Sequence, residues 1–151
     1  MRFYVHGHIL FPVLGLGLAL MCASISGCGG RVYTPSQATR PYPKELMQGH
    51  TIQAEASREG SQLVIVNATP QSFSNFDVWL NQRYMHHIDN LEAGKTLRLN
   101  ITDFYDTWGE TPVPGGFFRT QRPTPVVLVQ FQLDRTQPLQ GLVTVPVNDE
   151  F

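Results

Sequence analysis

The chain has 151 residues, 42% of them hydrophobic, with 11 Lys and Arg against 12 Asp and Glu and two cysteines. A near-neutral balance with no basic run leaves no electrostatic footprint for nucleic acid, so a nucleic-acid partner is not expected. The length fits one domain of the usual size, about 100–200 residues, with a real but modest core.

Arg2 is followed by the uncharged apolar run 9–21 and then by the small residues Ala23, Ser24, Ser26 and Gly27. That is the three-part layout of a secretory signal. The run is shorter than the roughly 20 residues of a stable membrane span, and Pro12, Gly15 and Gly17 weaken it as a permanent helix. Residues 1–27 therefore read as a cleaved signal peptide. The stretch closing it, Ile25-Ser26-Gly27-Cys28, resembles the lipobox of bacterial lipoproteins, with Ile25 standing where leucine is commonest. Small residues before the cysteine let a peptidase reach the backbone, and the thiol can carry a thioether-linked lipid. Cys22 is a poorer acceptor because bulky Met21 would sit at the cut.

The resemblance implies that Cys28 becomes the acylated mature N-terminus, anchored to a membrane by several acyl chains of the palmitate kind. Gly29, rather than aspartate, does not favour inner-membrane retention, which points to the outer membrane facing the periplasm in an organism that has one. With Cys22 discarded and Cys28 acylated, neither a disulfide nor a thiolate metal site is expected.

Residues 28–50 carry Gly29, Gly30, Pro35, Pro41 and Pro43 without apolar periodicity. They read as a lipidated N-terminus and flexible tether, and the 29–50 stretch would reach about 75 Å when fully extended. Residues 51–151 change to short β-type runs separated by turn residues. A weakly alternating strand at 51–57 and a turn at Glu59-Gly60-Ser61 lead to 62–67, apolar on both faces. In 75–81, Phe76, Val78 and Leu80 face one side and Asp77, Trp79 and Asn81 the other. A partner strand at 83–88, a turn at 91–95, a strand at 97–101 and a brief helical turn at 103–105 capped by Thr102 complete this part. Gly and Pro then forbid regular structure through most of 106–125. Runs 126–133 and 142–147 form a terminal hairpin, with Pro146 marking an edge or a strand end.

This pattern predicts an all-β fold, a small antiparallel sandwich of about six to seven strands. Val66-Asn67-Ala68-Thr69, Phe76-Asp77-Val78-Trp79-Leu80-Asn81, Leu91-Glu92-Ala93-Gly94-Lys95 and Asp103-Phe104-Tyr105 resemble small Ig-like domains of uncharacterised bacterial envelope lipoproteins. The resemblance implies an Ig-like sandwich and transfers no catalytic residue.

No motif for catalysis or phosphate binding occurs. Adjacent strand residues point to opposite faces, so His86 and His87 are poorly placed to chelate one ion, and neither a metal nor a cofactor is expected. Asp103, Asp106 and Glu110 lack the ligand spacing of a calcium loop. The sequons Asn67-Ala68-Thr69 and Asn100-Ile101-Thr102 are expected to be chance matches if the chain is the bacterial lipoprotein that the resemblance implies.

Trp79, Tyr105, Trp108, Phe117 and Phe118, with Arg119 beside them, are the candidate binding residues, because aromatic rings give rigid contact area for sugars or protein hot spots. The competing reading folds the long loop over the sheet and buries these rings as a second small core. The expected function is a non-catalytic interaction or structural module, anchored to the membrane through its lipid and touching an envelope protein. The alternative is a glycan- or small-ligand-binding module. A hydrolase-like activity would have to come from Asp103, Asp106 and His86.

Overall fold

The computed structural model describes residues 33–115 and 121–145, all in the compact unit Arg31–Phe151. The expected signal peptide, Cys28, the first residues of the expected tether and Pro146 lie outside the described residues. Seven strands form in chain order: β1 (Gln48–Glu59), β2 (Gln62–Asn67), β3 (Phe73–Leu80), β4 (Tyr84–Leu91), β5 (Thr96–Asn100), β6 (Val129–Gln132) and β7 (Leu139–Val145). The fold is all-β, with 3-10 turns at Pro35–Gln37 and Ile101–Asp103. The second stands slightly before the helical turn expected at 103–105, and Thr102 lies inside it rather than capping it. Among the described residues no helix is long and apolar enough to cross a membrane.

The strands hydrogen-bond in the order β4-β3-β6-β7-β1-β2-β5. All neighbours are antiparallel except β1 and β7, which run parallel with Glu55 opposite Val143 and Ser57 opposite Val145. The all-β fold of six to seven strands forms as expected, and the sheet expected to be antiparallel is mixed at this one pairing. The terminal hairpin of β6 and β7 forms as predicted, yet it returns the chain beside β1 in the same direction. Local sequence carries no signal for a pairing across nearly the whole domain.

Laid flat, seven strands would hold the edge strands β4 and β5 about 29 Å apart. Tyr105, shortly after β5, nevertheless pairs with Met85 in β4, and His86 Nδ1 lies 3.0 Å from the Asp103 carbonyl oxygen. The sheet therefore curls until its edges approach, in a sandwich- or barrel-like closure. The enclosed face holds Ala54, Leu63, Ile65, Phe76, Val78, Leu80, Phe104 and Phe131, all essentially inaccessible to solvent. Phe73, Phe76 and Phe131 meet with ring centroids 4.7–6.0 Å apart, in the edge-on and tilted geometries that aromatic quadrupoles favour.

Two motifs singled out in the sequence meet at the end of β2. The buried Asn67 side chain donates to the carbonyls of Gln71 and Glu92, and its backbone N–H donates to Lys95 O at 2.9 Å. Its side-chain oxygen accepts from the backbone N–H and hydroxyl of Thr69. A buried amide engaged in this way has no room for a glycan, in keeping with a chance sequon. The long excursion is tied down by another buried polar group. The Arg58 guanidinium donates to the carbonyls of Gly60, Pro114 and Thr124, gathering both ends of the described loop.

The largest departure from expectation lies at the N-terminus. Residues 33–47 are not a free tether but a strap packed across the outer face of β3 and β6. Tyr42, 9% exposed, meets the Trp79 ring edge-on at 5.3 Å, with Leu139 beside them. The Tyr42 hydroxyl donates to Gln130 Oε1 and accepts from Gln48 Nε2, each at 3.0 Å, and Gln130 Nε2 donates to Gln48 Oε1, closing a ring of three hydrogen bonds. Arg40 pairs with Asp77, donates to Gln132 Oε1 at 2.8 Å and stacks over the Trp79 ring. Both faces of β6 are thereby covered, which explains why Gln130 and Gln132 are buried alongside Val129 and Phe131.

Candidate functional site

Strand alternation puts Trp79 opposite Val78 and Leu80, as predicted, but that second face is not open to solvent. Trp79 is fully buried beneath the strap, and its indole N–H donates to Gln132 Oε1 at 2.8 Å. It cannot serve as an exposed stacking platform, and its expected binding role is corrected to that of a second-core residue. Tyr105 is half-buried. Its backbone pairs with Met85 and its carbonyl accepts the Thr39 hydroxyl, so it locks the strap to the edge of β4. Trp108 alone among the described candidate residues is open, 62% exposed. Phe117, Phe118, Arg119 and the lipidation candidate Cys28 lie outside the described residues.

The turn carrying Trp108 is built around Asp106, whose side chain is almost fully buried. Asp106 Oδ1 accepts the backbone N–H groups of Trp108 and Glu110, both at 2.9 Å, while Oδ2 accepts from Arg83 Nε and Nη2 at 2.9 and 2.6 Å. Arg83 also reaches Glu110 at 2.7 Å. Burial by itself would raise the Asp106 pKa. The charge-assisted hydrogen bonds from Arg83 and the two backbone donors outweigh it and hold the carboxyl below the ordinary carboxylate range. Although desolvation works against its charge, Arg83 is raised above its ordinary value by the same pairing. The carboxylate thus fixes the geometry of the turn.

Immediately beyond, Gly109 has φ +79°, and a side chain there would meet the Thr34 carbonyl oxygen at 2.1 Å. Only glycine permits this approach, across which the Thr34 N–H donates to Gly109 O at 2.9 Å and Tyr33 pairs with Glu110. The consequence is an exposed aromatic neighbour for Trp108: Tyr33, 60% exposed, one residue before the same backbone contact. Sequence reasoning missed Tyr33 because an isolated aromatic among Gly, Pro and Thr carries no periodic signal.

The residues considered for acid–base chemistry are dispersed among structural roles. His86 and Asp103 line a shallow depression of about 410 Å3 with Tyr105, but His86 Nδ1 engages the Asp103 backbone carbonyl and its ring packs on Phe104. Asp106 is committed to Arg83. On the opposite face of β4, His87 Nδ1 sits 2.7 Å from Asp77 Oδ1, so one carboxylate is shared between His87 and Arg40. A polar depression of about 350 Å3 beside it is lined by Arg40, Asp77, His87, Gln132 and Arg135. His86 and His87 therefore point to opposite faces, as strand alternation requires. Among the described residues no group of three or more His, Cys, Asp and Glu is arranged to hold a metal ion.

No protein-family model matches the chain, nor does any curated protein or any solved structure. Any functional reading therefore rests on the residues themselves.

Proposed function

We propose that this protein is a bacterial envelope lipoprotein, acylated at Cys28, whose all-β domain works by contact with another envelope component rather than by catalysis. The Ile25-Ser26-Gly27-Cys28 motif and the signal-like segment before it support the anchor. By family analogy Gly29 favours the outer membrane facing the periplasm. The observation that carries the contact reading is that Tyr33 and Trp108, both exposed, flank one backbone contact in which Tyr33 pairs with Glu110 and the Thr34 N–H donates to Gly109 O. Trp108 stays exposed on a turn held by Asp106 and Tyr33 stays exposed on the strap bridged to that turn, whereas Trp79, Tyr42 and the core phenylalanines are withdrawn from solvent. Rigid, exposed aromatics lose little conformational entropy on binding and anchor contact surfaces efficiently. The glycan-binding alternative loses Trp79 as a platform and retains this edge among the described residues.

Two measurements on whole cells test the reading. Labelled palmitate should be incorporated into the wild type and lost, together with membrane association, in the Cys28→Ser variant. A photo-crosslinker in place of Trp108 should form an adduct with an envelope component in native membranes. Unlabelled protein would remove the anchor, and the absence of any adduct would remove the contact.

A further inference from the structure

The packed strap changes the distance at which an anchor at Cys28 would hold the domain. Its bonds begin at Tyr33 and Thr34, which pair with Glu110 and Gly109, and continue through Thr39, Arg40 and Tyr42. Between Cys28 and Tyr33 the backbone can extend no further than about 18 Å. The composition-based tether would have reached about 75 Å. Lengthening the connection would first break the Tyr33, Thr34 and Thr39 bonds to the 105–110 segment, and going further would strip Arg40 and Tyr42 from Trp79, exposing a buried aromatic face to water.

Among the described residues the exposed aromatics, Tyr33 and Trp108, stand near the start of the strap. Tyr33 lies five residues after Cys28, and Trp108 adjoins the Gly109 carbonyl that accepts the Thr34 N–H. A short connection to a lipid at Cys28 would therefore hold this edge near the membrane. Its chemistry suits that place. Trp and Tyr concentrate at the water–hydrocarbon boundary, where an apolar ring and a polar N–H or O–H are satisfied together. The nearby carboxylates of Asp106 and Glu110 both accept from Arg83, which offsets part of their negative charge toward anionic headgroups.

We propose that the Tyr33–Trp108 edge docks on the headgroup region of the leaflet that holds the Cys28 lipid, fixing the orientation of the domain on the bilayer. This deepens the contact reading, rests on acylation at Cys28, and names the bilayer surface as the component touched. A lipid contact beside the anchor acts intramolecularly, so even a weak patch is engaged at high effective concentration.

The test uses the full mature, acylated protein in phosphatidylcholine–phosphatidylglycerol vesicles whose acyl chains are brominated near the headgroup. The chain has two tryptophans, and Trp79 is buried, so it serves as an internal reference. Docking predicts that the brominated lipid quenches an emission component that disappears in Trp108→Phe, and that aqueous iodide loses most of its access to that component. A protein that floats with the vesicles while Trp108 stays unquenched by lipid and open to iodide overturns docking and leaves the anchor standing. A protein that neither floats nor carries acyl mass at Cys28 overturns both. If a photo-crosslinker at position 108 in native envelopes attaches to one protein and not to lipid, the bilayer is replaced by a protein partner.

Discussion

Replacing Tyr42 separates a packed strap from a free tether. The side chain is 9% exposed, lies edge-on to Trp79 at 5.3 Å, and shares its hydroxyl with Gln130 and Gln48. Withdrawing an aromatic side chain removes about 150–250 Å2 from water, which at about 25 cal/mol/Å2 gives about 4–6 kcal/mol as an upper bound. Ordering the strap backbone and the Tyr42 rotamer offsets part of that gain, so Tyr42→Ala should cost about 3 kcal/mol. Tyr42→Phe keeps the ring and breaks only the hydroxyl link, for a loss of about 1 kcal/mol. Urea denaturation followed by Trp79 emission reads both. With an m-value of about 2 kcal/mol/M, the alanine variant should unfold about 1.5 M earlier than the wild type. A change within about 0.5 kcal/mol for Tyr42→Ala, the range of an ordinary surface substitution, would refute the packed strap and restore the flexible tether that composition suggests.

Two further predictions concern the turn that presents Trp108. Gly109→Ala forces a positive φ on an L side chain and drives its Cβ into the Thr34 carbonyl, so it should cost about 2 kcal/mol or more and speed amide exchange at Thr34; unchanged exchange there would contradict the close approach. Asp106 has a folded-state pKa below its unfolded value. Its contribution to stability should be complete above about pH 4 and disappear as pH falls through the depressed folded value. Urea midpoints across the acid limb should flatten in Asp106→Asn, and an unaltered slope would mean that the carboxylate is not held by Arg83.

Much of the strand layout was legible because each strand carries its own pattern. Phe76, Val78 and Leu80 alternate with Asp77 and Trp79, and that alternation by itself places the first three in the enclosed core. Gly60 marks the tight turn between β1 and β2, and the Asn67 and Gly94 segments stand at strand ends as their composition indicates. The candidate surface was only partly legible. Trp108 lies among turn residues and is exposed, while Trp79 has the pattern of a residue facing water and is nevertheless covered. What covers it comes from elsewhere in the chain. Arg40 meets Asp77 and Gln132 at separations of 37 and 92 residues, and Tyr42 meets Gln130 at 88.

The sequence by itself determined the β class, the turns and one buried face, because period-two alternation and the backbone preferences of Gly, Pro and Asn act within a few residues. It also carries the motif on which the proposed anchor rests. Tertiary structure decided the closure of the sheet, the parallel pairing of β1 with β7, the burial of Trp79 and the pairing of the Tyr33 segment with the turn that carries Trp108. A strap with a single 3-10 turn and no strand of its own binds through isolated side chains and a few backbone groups, so no period announces it. Its partners, two glutamines, an aspartate and a tryptophan, gather on one surface only after β3 and β6 pair.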